Sequence, residues 1–177
     1  MQKDRHFAYK LYPEKTIKRI DSKVKLVGVE EEMDAFTFLN VRFGTSILLF
    51  LLILFLFDYG YILAPISTIF FYYGSEKFAL DLKIKKRAKK LEEEAIFFFE
   101  ILCLTLESNK HLKGAIELTS LNIDSELSNE FKKTLSYLKL GKSFTESLIM
   151  MKERIPSDSI NNMLLNLTES SVFGNNI

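Results

Sequence analysis

The chain has 177 residues, enough for one ordinary domain or for a membrane anchor with a small domain. Hydrophobic residues make up 47% and Phe alone supplies 16, while Gly (7) and Pro (3) are scarce, which disfavours a turn-rich β-protein and favours long helices. The single cysteine, Cys103, excludes an intrachain disulfide framework and, with only two histidines, most metal sites.

The formal net charge of +1 says little, but its distribution is informative. Residues 76–90 carry seven basic side chains against Glu76 and Asp81, a local balance of +5. Residues 91–177 hold eight basic and thirteen acidic side chains, a balance of −5. A nucleic-acid-binding domain spreads basic charge over its own surface, so no nucleic-acid partner is expected. A basic collar followed by an acidic segment matches a chain leaving a membrane on the cytoplasmic side.

In chain order, residues 1–35 read as a cytoplasmic segment with short amphipathic helices. Ile17, Ile20, Val24 and Val27 recur at helical spacing after Pro13, and a second helix is expected to run from Glu30 into the apolar region. These helices have two resting places open to them, the membrane surface or the helical domain that follows the hairpin, and spacing does not choose between them.

Residues 36–80 read as a transmembrane helical hairpin. Phe43–Phe57 has no charge in 15 residues and Tyr59–Ser75 none in 17, together too long for one crossing at about 20 residues per span. Asp58-Tyr59-Gly60 supplies the turn. Extending the first run back through "FTFLNVR" gives it full length, with Arg42 expected to snorkel to the interface. Tyr59 and Tyr61 mark one boundary and Tyr72 and Tyr73 the other. Eight basic residues precede the hairpin and seven follow it, which places both flanks in the cytoplasm and the turn outside. The first apolar run begins far from Met1 and lacks a small-residue cleavage site, so no cleavable signal is expected.

Residues 81–177 read as a cytoplasmic bundle of five to six helices, which makes the whole chain all-α. "LEEEAIFFFEILCLTLESN" has an uninterrupted apolar core of only twelve residues with Glu100 inside it, too short and too charged to span. Leu91, Ala95, Ile96, Phe98, Phe99, Leu102, Cys103 and Leu106 read as core positions of a central helix that ends at Ser108, with Asn109 as its left-handed cap. Glu93, Glu100 and Glu107 repeat every seven residues and form one narrow acidic stripe, the candidate partner-contact site. Leu112, Ala115, Ile116 and Thr119 mark a second helix, with Lys113 and Glu117 as an exposed pair. Asp124 or Ser125 caps a third, whose stripe is Leu127, Phe131, Leu135 and Leu138 and whose stop is Gly141. "SFTE" at 143–146 is a capping box for a helix carrying Leu148 and Met151. After Pro156, Met163, Leu164 and Leu167 line the last helix.

No catalytic set is legible. His6 and His111 have no second ligand at a useful spacing, Cys103 reads as an inert core thiol, and there is no phosphate loop, dinucleotide fingerprint or nucleophile elbow. Glu92, Glu93 and Glu94 point in different directions around a helix and read as a solvated first turn. No cofactor, metal site or enzyme activity is expected.

Taken together, "KKLEEEAIFFFEILCLTLESNKHLKGAIEL", "EFKKTLSYLKLGKSFTESL" and "RIPSDSINNMLLNLTESSVFG" resemble the F-type platform domain of type II secretion and type IV pilus machines. The nearest form is the single-domain version of tight-adherence systems (GspF/TadC-like), and the resemblance covers about Lys83 to Ile177 with a fitting hairpin before it. Its most telling element is "L-x-L-T-L-E-S" followed by "L-x-x-A-I-E" and "L-x-x-G-K-S-F-x-E-S-L". Within the chain, "NKHLKGAIELT" and "GKSFTESLIMM" look like two copies of one helix start. Asn109 stands where the family usually has Gly, a mild departure because Asn tolerates the left-handed cap. The family continues into further transmembrane helices where this chain stops at "FGNNI", which implies a fragment or a missing C-terminal membrane part. The resemblance implies a multi-pass platform in the cytoplasmic membrane that couples a secretion ATPase to extraction of pilin-like subunits. It also implies an oligomer with itself or with a sister platform protein. A membrane-tethered scaffold or signalling domain is the alternative from another class, and a membrane enzyme with an unrecognised site is a third.

Overall fold

The computed structural model describes residues 12–29, 33–108 and 111–174. Among them every regular element is a helix: α1 (Glu14–Val27), α2 (Ala35–Leu56), α3 (Gly60–Glu76), a π-turn at Lys77–Asp81, α4 (Leu82–Ser108), α5 (Leu112–Asn122), α6 (Glu126–Lys139), α7 (Phe144–Lys152) and α8 (Asp158–Gly174). The chain is all-α, as expected. It forms two compact units, Met1–Ile84 and Lys85–Ile177.

In the first unit, α1 starts after Pro13, whose fixed φ and missing N–H suit a helix start. It buries Ile17, Ile20 and Val24 against Ala35, Phe38 and Leu39 of α2 and Leu80 of the π-turn. The base of the hairpin, within the first unit itself, therefore covers the apolar face of α1, a resting place that neither expectation named. Ile20 and Leu39 are fully enclosed, worth about 2 kcal/mol each in transfer terms. The expected helix from Glu30 begins only at Ala35, after Asp34 in extended conformation, while Glu30–Glu32 lie outside the described residues.

Helices α2 and α3 fold back on each other through Phe57-Asp58-Tyr59. The turn closes with Gly60 N–H donating to Phe57 O at 2.8 Å. A Cβ at Gly60 would lie 2.6 Å from Ile53 O and 2.8 Å from Leu54 Cα, backbone atoms that cannot swing aside. Glycine is thus required here by close approach of the backbone. Outside the α2–α3 seam the hairpin is apolar and uncovered, with Phe55 83% and Phe70 82% exposed. Helix α2, of 22 residues and about 33 Å, is the one helix among the described residues long and apolar enough to cross a membrane. Helix α3 has 17 residues, about 26 Å.

In the second unit, the face of α4 carrying Leu91, Ala95, Phe98 and Leu102 packs on Ala115 and Ile116 of α5, Leu127 and Phe131 of α6, Leu148 and Met151 of α7, and Ile160 and Leu164 of α8. Phe98 stacks flat on Phe131 at 4.6 Å between ring centroids, and Phe99 meets the same ring edge-on. Ser125 caps α6 by accepting from Ser128 N–H, so of the two candidate caps the serine does the work. Gly141 follows α6 at φ +87°, the left-handed conformation that ends a helix. The Ser143–Glu146 capping box at the start of α7 forms reciprocally. Of the expected α8 stripe, Leu164 is buried and Leu167 packs on the core, whereas Met163 is exposed.

Two expectations for α4 fail. Ile96 is 75% exposed and Cys103 is also exposed, so α4 is not surrounded and the thiol is not a core atom. The physical reason is that α5–α8 all pack on one side of α4, and none of the described residues of this unit covers the other. The expected cap Asn109 lies outside the described residues.

Candidate interaction face and the ion pairs behind it

Helix α4 presents two chemically different faces. The inward one begins with Arg87, counted in the basic collar but buried. Its Nε donates to Glu126 Oε1 at 2.6 Å, its Nη2 to Glu130 Oε1 at 2.7 Å, and its Nη1 to the Arg154 carbonyl at 2.7 Å. Arg154, in the turn between α7 and α8, donates from Nε to the other Glu130 oxygen at 2.8 Å. Glu130 therefore bridges two guanidinium groups. Lys90 adds a 3.0 Å ion pair to Glu126. Burial disfavours the charged form of Glu126, but hydrogen bonds and charge from Arg87 and Lys90 outweigh it and hold the carboxyl below its ordinary value. The cost of burying these charges is offset by these charge-assisted hydrogen bonds, which hold α4, α6 and the α7–α8 turn in one register.

Two of the three consecutive glutamates join this fastening. Glu94 accepts the Leu127 N–H at 2.9 Å, holding the first turn of α6 against α4. Glu92 accepts from Ser157 Oγ at 2.7 Å, just ahead of α8. They are not a solvated first turn, because α4 starts ten residues earlier, at Leu82. Only Glu93 faces outward, 3.8 Å from Lys89 in an exposed pair of little energetic weight.

The outward face carries the predicted acidic stripe. Glu93, Glu100 and Glu107 are all exposed on it, and Phe97 and Leu104 are 56% and 57% exposed beside them. The glutamates are the residues read from the sequence; the core positions read there for this helix include neither Phe97 nor Leu104. Beside this face runs a groove of about 710 Å³, with Phe97 and Ile101 on the α4 side and Ile123 and Asp124 on the other. Among the described residues no group of three or more His, Cys, Asp or Glu could hold a metal ion. His111 sits exposed ahead of α5, and His6 lies outside the described residues.

The first unit has its own polar centre. Glu76 accepts from Lys23 at 2.8 Å, Arg19 at 3.0 Å and Arg42 at 3.1 Å, and Lys23 also pairs with Asp81 at 2.7 Å. The Arg42 guanidinium lies 3.8 Å from the centroid of the Tyr72 ring. Arg42 does not snorkel outward as expected. Glu76, in the last turn of the facing helix, offers a partner nearer than solvent. Neither ion cluster was anticipated. The available signal for Glu130 was its place beside Phe131 on the buried stripe Leu127–Phe131–Thr134 of α6.

Compared with family models, with curated proteins and with solved structures, the chain matches none.

Proposed function

We propose that the chain is a platform protein of a type II secretion or tight-adherence pilus machine in the cytoplasmic membrane, coupling a secretion ATPase to extraction of pilin-like subunits. It has no reaction of its own in this reading. Helices α2 and α3 span the bilayer as a hairpin with Asp58–Gly60 outside. The helical backbone continues past α3 through the π-turn, where Phe78 is exposed, and this supplies length that the 17 residues of α3 lack. The second unit then lies in the cytoplasm.

The observation that carries this reading is the duplicated helix start within the resembling region. "NKHLKGAIELT" opens α5 and "GKSFTESLIMM" opens α7. Corresponding positions are buried in the two copies: Ala115 with Ser147, Ile116 with Leu148, Thr119 with Met151. The first apolar residues, Leu112 and Phe144, both rest on the common core. The motif thus acts as one packing unit used twice, in agreement with the family resemblance of these segments.

The test is copurification of the full chain, in detergent, with the secretion ATPase encoded beside its gene. Retention of that ATPase at moderate salt, with no hydrolysis by the chain alone, is the expected result. Absence of any adjacent secretion ATPase gene, or no retention under any salt condition, overturns the reading in favour of a membrane-tethered scaffold.

A further inference from the structure

We infer that the outward face of α4 is half of a two-helix coiled-coil contact, and that its occupant is a basic amphipathic helix of a cytoplasmic protein. The inference rests on the platform reading for which protein brings that helix, and on the geometry for its chemistry.

Coiled coils alternate apolar residues at a and d of a seven-residue repeat, with charges at e and g choosing the partner. In α4, Phe97, Ile101 and Leu104 fall at d, a and d and form a short apolar seam on the side facing away from the core, bounded by Glu94 and Ser108 at the a positions before and after it. Glu93, Glu100 and Glu107 then all fall at g, flanking that seam at every repeat. Leu91, Ala95, Phe98 and Leu102, at e and b, are already used inside the bundle. One helix therefore carries two apolar faces, and only one is covered. The groove supplies the space for the missing helix, with Ile123 and Asp124 forming its far wall. The apolar seam spans one repeat, about 10.5 Å, and the glutamates that flank it span two, about 21 Å.

Charge identifies the occupant. The seam's flank carries Glu93, Glu100 and Glu107, with Asp124 across the groove, while of the nearby cations Lys89 pairs with Glu93 and Lys90 with Glu126 and Glu94. A second copy laid antiparallel over the same seam would set glutamates against glutamates. A parallel copy would need its e positions, but Phe98 is buried there. The complementary helix has apolar a and d residues with Lys or Arg beside them.

The experiment uses the full chain in nanodiscs of neutral phosphatidylcholine, with empty discs as reference. The probes are two labelled synthetic helices with Leu at a and d, one with Lys at e and g and the other with Glu, read by fluorescence anisotropy. The Lys peptide should bind at least about ten-fold tighter than the Glu peptide and weaken as salt rises from about 0.05 to about 0.5 M. Reversing Glu93, Glu100 and Glu107 together to Lys should exchange the preference. Phe97→Ser should weaken binding about ten-fold and leave its salt dependence unchanged. Equal binding of both peptides, an unchanged preference after charge reversal, or self-association that neither peptide displaces overturns the inference. Peptide binding without ATPase retention would remove the platform reading alone. ATPase retention indifferent to the charge reversal would remove this face alone.

Discussion

Phe55 and Phe70 in the first unit are almost fully exposed, while Phe98 and Phe131 in the second are sealed inside a core. Both pairs sit on helices, so helix formation by itself does not separate them. The number of neighbours does. Two antiparallel helices can cover only the seam between them, whereas α4–α8 converge on a shared interior. The same contrast holds for charge. Around Glu76 one carboxylate gathers three cations, and around Glu130 one carboxylate joins two arginines that tie three segments together. The hairpin leaves most of its large apolar side chains exposed with its ions at one end, whereas the bundle gathers its own around a core and buries ion pairs beside it. The proposed placement of the first unit in a bilayer and the second in water rests on this difference.

The contrast within α4 gives the largest expected effect. Phe98→Ala should destabilise the second unit by about 3–5 kcal/mol, through a cavity beside Phe131. Phe97→Ala, one residue away on the outward face, should stay within about 0.5 kcal/mol of the parent. Denaturant titration in detergent, followed by helical circular dichroism, reads both. Next, Glu130→Ala should cost about 3 kcal/mol, because it strips a shared partner from two buried guanidinium groups. Hydrogen exchange should show the loss first in α6 and in the α7–α8 turn.

In the hairpin, Gly60→Ala should cost about 1–3 kcal/mol by forcing the added methyl against the end of α2. The readout is proteolytic nicking at the turn, which should rise in this variant and not in Asp58→Ala. The smallest effect concerns pH. Glu126 has a lowered folded-state pKa, so its contribution is fully present above the unfolded carboxylate value of about 4.3. That contribution is lost as pH falls below this value and through the lower folded one. Glu126→Gln should therefore be less stable than the parent at neutral pH and should show a shallower acid decline, seen in melts taken between about pH 6 and pH 3.

The helices of the second unit were legible because their signals are local. Capping residues such as Ser125 and Ser143 and the stop at Gly141 act within one turn of themselves. The stripe at Leu127, Phe131 and Leu135 follows the helical repeat directly. What was not legible depends on which neighbours arrive. Ile96 and Cys103 look like core in sequence, and only the one-sided packing of α5–α8 leaves them exposed. Arg87 looks like one more cation in a basic run, and Glu92 and Glu94 look like surface carboxylates. Each is claimed by a residue at least 33 positions away, beyond the reach of periodicity. The three glutamates spaced by seven do lie exposed along α4, as that spacing predicts. The apolar seam beside them emerged only with the core face fixed.

Thiol labelling in intact cells tests the central claim, a membrane hairpin holding a cytoplasmic bundle, most directly. Native Cys103 is exposed on the second unit, so the protein carries its own inner reporter, and Asp58→Cys adds an outer one at the hairpin turn. A membrane-impermeant maleimide should label the thiol introduced at position 58 in intact cells and reach Cys103 only after permeabilisation. Labelling of Cys103 in intact cells, with the thiol at position 58 protected until permeabilisation, would contradict the account.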